Sequence, residues 1–269
     1  MSERRRRRPA MILKALAALA ATLGAWTPGA ASPTGEEIAR EADRRQQSRS
    51  QFYEGQIRVV DAKGKVRDKA WRFWRIGYGG DSKSVIQFTL PSEVKGVGLL
   101  TYAQRGKEDE QWMWTPSIRR DRRIAPQEKS TRFLGTDFTY EDLSERVVED
   151  WDHALKGETS CEGGTCWIVE AVPHEGKKSQ YSRSVVHVRQ SDYALMKMDL
   201  HVGSALRRTL VLSDHRVLQG IVTAHRLVMS DLEKGSRTEL TLTDVRYNLP
   251  ADSEFFTLRS LGELHDPPK

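Results

Sequence analysis

The sequence predicts a mainly β protein built on a curled antiparallel sheet, an incomplete half-barrel with an N-terminal helix and a helical or irregular lid. From residue 51 onward, apolar and polar residues alternate along segments that are separated by short turns. The helices that parallel strands require between them are absent from this pattern. Only residues 126–156 interrupt it, so we expect about ten or eleven strands in one meander, with a lid inserted midway.

Residues 1–31 have the order of a secretory signal peptide, which is basic, then apolar, then small. Five arginines at positions 4–8 precede an apolar run that is shorter than the ~20 residues of a membrane-spanning helix. An uncleaved membrane anchor is the alternative, and Met11 is a second candidate start. The sequence therefore predicts export to the periplasm with cleavage near Ala31, which leaves residues 32–269 as a single domain.

Removal of this segment changes the charge of the protein. The full chain has a formal net charge of +6, but six basic residues and one acidic residue lie in residues 1–31. The remaining chain has 37 basic and 36 acidic residues, so its charges nearly balance. Because this balance does not favour a nucleic-acid surface, we expect a protein that binds no nucleic acid, and we expect a monomer.

Residues 34–49 are predicted to form the N-terminal helix. Thr34 and Glu37 have the spacing of a capping box, in which each side chain bonds the backbone N–H of the other. The inward stripe of this otherwise charged helix is expected to consist of Ile38, Ala42 and Arg45.

The strands are predicted from alternation of apolar and polar side chains. It is clearest in residues 194–202, where Met196, Met198 and Leu200 share a face that excludes Lys197. A second clear case begins at residue 51 and includes Tyr53, Gly55, Ile57 and Val59. The other predicted strands are residues 65–78, 84–90, 97–104, 111–115, 208–213, 221–229 and 237–247.

Cys161 and Cys166 lie in the motif C-E-G-G-T-C. In the cytosol this spacing would suggest redox or metal chemistry, but two ligands alone make a poor zinc site. In an oxidising compartment the pair is expected to form a disulfide across a tight turn. Gly163 and Gly164 can supply the positive φ angles that such a turn needs.

The concave face of a curled sheet, covered incompletely by a lid, would leave an apolar cavity suited to an acyl chain. Trp112 and Trp114 share a face and could line its mouth, although ordinary core packing explains them equally well. The candidate lining residues are Trp71, Phe73, Phe88, Leu99, Trp112, Trp114, Phe133 and Phe138. A one-residue slip in register exchanges the faces of a strand, so this set depends on the register.

A basic cluster follows Trp114 and consists of Arg119, Arg120, Arg122 and Arg123. It is a candidate contact for phospholipid head groups or for an acidic partner. The alternative is an edge strand whose charges discourage pairing with other chains.

The sequence contains no motif for metal binding, cofactor binding or nucleophilic catalysis. Five histidines, at positions 174, 187, 201, 215 and 225, are expected on solvent-facing strand positions. Asp137, Glu141 and Asp142 have no adjacent nucleophile, so helix capping by Asp137 is favoured over acid–base chemistry. We therefore expect no enzyme activity, with an unrecognised hydrolase as the remaining alternative.

Four motifs lie between Phe88 and Leu143: F-T-L-P-S-E-V-K-G-V-G-L-L, Q-W-M-W-T-P, R-R-D-R-R-I and R-F-L-G-T-D-F-T-Y-E-D-L. This series resembles the outer membrane lipoprotein-sorting family, periplasmic proteins with a LolA-like fold. Arg132 and Thr136 stand where the family pattern has serine. The resemblance implies a half-barrel whose lid accepts lipid or lipoprotein acyl chains, often beside an RND-type exporter of the inner membrane.

Together, these features predict a periplasmic carrier of acyl chains for transport or sorting to the outer membrane. The alternative is an accessory module that docks on an envelope transporter through the arginine cluster and carries no ligand of its own.

Overall fold

The computed structural model describes residues 32–250 and 253–263. The signal-peptide prediction for residues 1–31 lies outside the described residues. Helix α1 spans Gly35–Arg45 and helix α2 spans Leu258–Leu261. Among the described residues, no helix has the length and apolarity needed to cross a membrane.

Thirteen strands are found in the described residues. They are β1 (Ser50–Val60), β2 (Val66–Tyr78), β3 (Asp81–Leu90), β4 (Gly98–Ala103), β5 (Glu110–Thr115), β6 (Arg120–Arg123), β7 (Trp151–Cys161), β8 (Gly164–Pro173), β9 (Arg183–Arg189), β10 (Leu195–Val202), β11 (Ala205–Leu218), β12 (Ile221–Asp231) and β13 (Ser236–Tyr247).

The strands form one antiparallel sheet in the order β6-β5-β4-β3-β2-β1-β13-β12-β11-β10-β9-β8-β7. Its two halves, β1–β6 and β7–β13, join where β1 pairs with β13. Strands β6 and β7 are the two edges, so the sheet is not closed into a barrel. The predicted fold class is confirmed, although the sheet has thirteen strands rather than ten or eleven.

The sheet curls enough for loops from its two halves to meet. Glu108 lies between β4 and β5, close to one edge of the strand order, and Lys178 lies between β8 and β9, close to the other. Their side chains form an ion pair at 2.8 Å. The concave side is therefore partly enclosed, as expected for a half-barrel.

Helix α1 begins with the predicted capping box. The Thr34 hydroxyl accepts from the Glu37 backbone N–H, and the Glu37 carboxylate accepts from the Thr34 backbone N–H. The helix ends at Arg45, four residues before the predicted end at 49. Ile38 is fully buried against Trp167 and other residues of β8 and β9.

The segment between β6 and β7 is shorter than the predicted lid. It runs through three 3-10 turns, Pro126–Glu128, Glu141–Leu143 and Val148–Asp150. Residues 151–156, which we expected in the lid, form the first half of β7. The lid segment is therefore defined as residues 126–150.

The face of the sheet opposite the lid segment is covered by the C-terminal residues 253–263. Phe256 and Leu261 are buried there against Phe52, Trp74 and Leu100. The sheet thus has a covering on each side, and each of its two faces has its own apolar cluster.

Cys161 and Cys166 form the predicted disulfide across the β7–β8 turn. Gly163 has a φ of 81° in this turn, which explains the glycine at that position. Cys166 is fully buried, so the bridge closes the hairpin on its packed side.

The expectation that all five histidines face solvent is wrong for two of them. His201 and His225 are 9% and 6% exposed. In β10, Leu200 and His201 are consecutive and both buried, so both faces of the strand are covered at this point. Alternation shows which residues share a face, but it does not show that the polar face is open to solvent.

Candidate ligand-binding groove

One row of side chains crosses most of the sheet on a single face. Consecutive cross-strand partners in this row are Val59, Thr238, Met229, Leu210, Met198, Val186 and Val169, which lie in β1, β13, β12, β11, β10, β9 and β8. Residues paired directly across neighbouring strands point to the same side of a sheet. Coverings that contact any part of this row therefore lie on one face, which is the concave face.

The lid segment fills the part of the concave face formed by β1–β5. Phe133 packs on Phe88 and on Tyr140, with ring centroids 5.6 and 5.5 Å apart. Trp71, Phe73 and Leu99 belong to the same packed cluster. Five of the eight candidate lining residues are thus brought together here, but in a closed core rather than in an open cavity.

Trp112 and Trp114 lie on the opposite face of the sheet. Both pack in the cluster covered by the C-terminal segment, and the ring of Trp114 approaches Gly262. The prediction that they share a face holds, but the structure does not bring them to the concave cavity with the other candidates. Their alternation showed that they point the same way without showing which way.

Asp137 fixes the lid segment to the start of β13. Its fully buried carboxylate accepts hydrogen bonds from Ser236 Oγ at 2.6 Å, Thr238 Oγ1 at 2.7 Å and Arg132 Nη2 at 2.5 Å. The Asp137 backbone N–H also donates to Thr238 Oγ1 at 2.8 Å. The predicted helix-capping role is therefore wrong, because the carboxylate accepts from side chains, two of them in β13, and not from the backbone of a helix.

Arg132 extends this attachment to the end of β12. Its Nη2 atom lies 2.7 Å from the Asp231 carboxylate. Burial alone raises the pKa of Asp231, but the hydrogen bonds and charges of its neighbours, Arg132 first among them, outweigh burial and lower it. The group formed by Arg132, Asp137, Asp231, Ser236 and Thr238 is called the latch below.

Beside the lid segment, the concave face opens into a groove of about 420 Å³, which is within the usual range for small-molecule sites. Its floor consists of Phe138, Met198, Leu200, Leu210 and Met229. Met198, Leu210 and Met229 are consecutive members of the cross-sheet row. Phe138 is the one predicted lining residue that reaches this groove.

The rim of the groove is charged. Residues 106–109 contribute from one half of the sheet and residues 174–178 from the other. Burial raises the pKa of Asp109 and also that of Asp142, although Asp142 accepts hydrogen bonds from Thr139 and Tyr181. The groove therefore combines an apolar floor with polar groups that are partly shielded from water.

Arg146 is a groove residue that the sequence did not single out. Its guanidinium stacks on Trp151, with Cζ 3.6 Å from the ring centroid, and donates to Ser184 Oγ at 2.6 Å. Burial lowers its pKa to about 10. In the sequence it appears as one more charged residue of a polar segment, so no local pattern distinguishes it.

The predicted arginine cluster lies at the edge of the sheet and does not line the groove. Arg120, Arg122 and Arg123 are exposed on β6. Arg122 pairs with Glu128, and Arg123 pairs with Glu110. The cluster is partly neutralised by these acids, as the edge-strand interpretation anticipated.

The described part of the chain contains no group of three or more histidine, cysteine, aspartate or glutamate residues arranged to hold a metal ion. The acidic residues of the lid segment bond to basic side chains, hydroxyls and backbone groups instead. Glu141, for example, accepts from Ser179 Oγ and from the Gln180 backbone N–H.

An open half-barrel with a lid segment on its concave face defines the class of LolA-like proteins, and comparisons with known structures agree. A domain from Vibrio parahaemolyticus described as outer membrane lipoprotein-sorting has 25% identity and a TM-score of 0.80, covering 85% of this chain and 98% of its own. A DUF1329 family protein from Desulfovibrio piger has 26% identity and a TM-score of 0.81, covering 84% of this chain and 97% of its own. A LolA superfamily protein from Nitrosomonas europaea has 19% identity and a TM-score of 0.68, covering 85% of this chain and 99% of its own. This similarity supports the fold alone.

A family model described as an uncharacterized protein matches residues 80–263, which is more than half of the chain. None of the curated proteins searched matches the sequence. The chain belongs to the family of this model, and its fold is similar to that of the outer membrane lipoprotein-sorting and LolA superfamily structures.

Proposed function

We propose that this protein is a periplasmic carrier that holds an acyl chain of a lipid or lipoprotein in the groove and delivers it toward the outer membrane. The observation that carries the proposal is the row of Met198, Leu210 and Met229, which forms an apolar floor that the lid segment contacts through Phe138 without filling the groove above it. The mechanism is binding and release, without chemistry. Each methylene of a chain that leaves water contributes ~0.8 kcal/mol, so a short row suffices for useful affinity.

Two neighbouring residues of β11 allow a matched test. Leu210 lies on the groove floor, whereas Val211 is 42% exposed outside the groove. The Leu210→Gln variant is expected to weaken binding of a fluorescent acyl probe by roughly fivefold or more, because it places an amide beside the chain. Val211→Gln should bind as the unaltered protein does.

Native mass spectrometry of the protein purified from periplasm provides the complementary measurement. We expect a lipid or lipopeptide at near one per chain, released on extraction. A mass without ligand that stays unchanged after incubation with lipids and lipoproteins would contradict the carrier function. So would equal binding by the Leu210→Gln and Val211→Gln variants.

A second candidate is an accessory module that docks on an inner-membrane RND-type exporter. It is favoured by Arg119 and Arg120, which are exposed and have no ion-pair partner within residues 32–250 and 253–263. Cross-linking to such an exporter should then be lost when both arginines are changed to glutamate. The exposed Arg67→Glu variant is the control, and equal cross-linking by all variants would exclude this surface.

A further inference from the structure

Arg146 places a cation in the groove without a carboxylate beside it. Its recorded side-chain contacts are the Trp151 ring, Ser184 Oγ at 2.6 Å and Met198 Sδ at 3.7 Å. No carboxylate of the described chain lies within ion-pair distance of the guanidinium. Arg146 is half-buried, and a charge that is partly withdrawn from water without a counter-ion is costly for a fold, so its presence calls for a reason outside folding.

Several acidic residues around the groove are engaged with other partners. Asp150 pairs with Lys177 at 2.5 Å, and Glu108 pairs with Lys178 at 2.8 Å. Glu141 accepts two hydrogen bonds from the loop that follows β8. Glu141 and Asp142 favour the charged form of Arg146 from a distance, but neither forms an ion pair with it.

Arg146 also borders the apolar floor. The sulfur of Met198, which its Nη1 atom contacts, belongs to the first residue of the floor row that continues through Leu210 and Met229. With a pKa of about 10, lowered by burial, the guanidinium is charged at neutral pH. A planar guanidinium pairs with the two oxygens of a phosphate or carboxylate, and a stacked tryptophan holds it in place.

We propose that the ligand of this groove is an anionic amphiphile, whose phosphate or carboxylate pairs with Arg146 while its acyl chain lies along Met198, Leu210 and Met229. The inference rests on the proposed function, since it assigns the head group of the ligand that the carrier holds. The groove is then expected to bind acidic lipids more tightly than neutral lipids of the same chain length.

The test compares two probes that differ by one phosphate, 1-oleoyl-lysophosphatidate and 1-oleoylglycerol, on the full mature protein. We expect the unaltered protein to bind the phosphate-bearing probe roughly tenfold more tightly or better. Arg146→Gln should remove this preference, with a much larger loss of affinity for the phosphate-bearing probe than for 1-oleoylglycerol, and circular dichroism should show that the variant is folded. Arg146→Lys should retain part of the preference, because it keeps the charge and loses the planar fork.

Equal affinity of the unaltered protein for the two probes would overturn the head-group inference and leave the carrier function standing. A loss of both affinities in Arg146→Gln would also overturn it, because that pattern indicates a structural role. Displacement of the lipid by an equal concentration of inorganic phosphate would indicate a free-anion site instead. If the unaltered protein bound neither probe, the carrier function itself would fail.

Discussion

Asp137 attaches the lid segment through a single buried carboxylate. Three side-chain donors converge on it, from Arg132, Ser236 and Thr238. The Asp137→Asn variant keeps the shape but replaces one acceptor oxygen with a donor and leaves Arg132 without this counter-ion. We expect the free energy of unfolding, measured by urea denaturation, to fall by about 2–4 kcal/mol.

Asp152→Asn is the matched control for this prediction. The Asp152 side chain is 79% exposed and contacts His174 at the surface. Its substitution should change the free energy of unfolding by less than about 0.5 kcal/mol. Equal effects of the two variants would show that the latch carries no special share of the stability.

Roles of single residues were the hardest to predict from the sequence. The partners of Asp137 in β13 are 99 and 101 positions away, so local spacing suggested a cap instead. The role of Arg146 was equally hard to predict, because it depends on the absence of a nearby carboxylate in the folded structure. The capping box of Thr34 and Glu37 was predictable because all of its atoms lie within one turn.

At the scale of elements, Asp231 determines how the latch responds to acid. Burial alone raises its pKa, but hydrogen bonds from Arg132 and from the Lys234 backbone, with the charges of Arg132 and Arg208, lower it overall. A carboxyl whose pKa is lower in the folded state contributes stability that is present above its unfolded pKa. That contribution is lost as the pH falls through its folded pKa.

The pH dependence of unfolding should therefore differ between the unaltered protein and Asp231→Asn. The difference in their free energies of unfolding is expected to be full near neutral pH and to shrink below about pH 4, where the carboxyl becomes protonated. Urea denaturation across this range measures it. A difference that stays constant down to about pH 3 would contradict the assignment of the lowered pKa to Asp231.

Strands with a clear alternation were predictable, whereas β6, β7, β8 and β9 were not predicted. Every residue of β6, which reads R-D-R-R, is exposed, so no alternation marks it. Strand β7 alternates covered and exposed positions, but His153 and Gly157 share its inward face with Trp151 and Leu155, so the apolar pattern is interrupted. Its first half was therefore assigned to the lid.

At the scale of the molecule, the open antiparallel sheet follows from short connections and two-residue periodicity, which the sequence displays plainly. The position of the groove does not follow from them. It depends on which face each strand turns inward, and shifts in register such as that between Ala70 and Trp71 decide this. Only Phe138 among the predicted lining residues reaches the groove, because the lid segment covers most of the others.

Photo-crosslinking with an acyl chain that carries a reactive group near its end would locate the bound chain directly. Peptide mapping is expected to place the label on β10, β11 and β12, at or beside Met198, Leu210 and Met229, with labelling that saturates near one per chain. Label concentrated on Trp112 and Trp114 of the opposite face, or labelling that never saturates, would contradict acyl-chain binding in the groove.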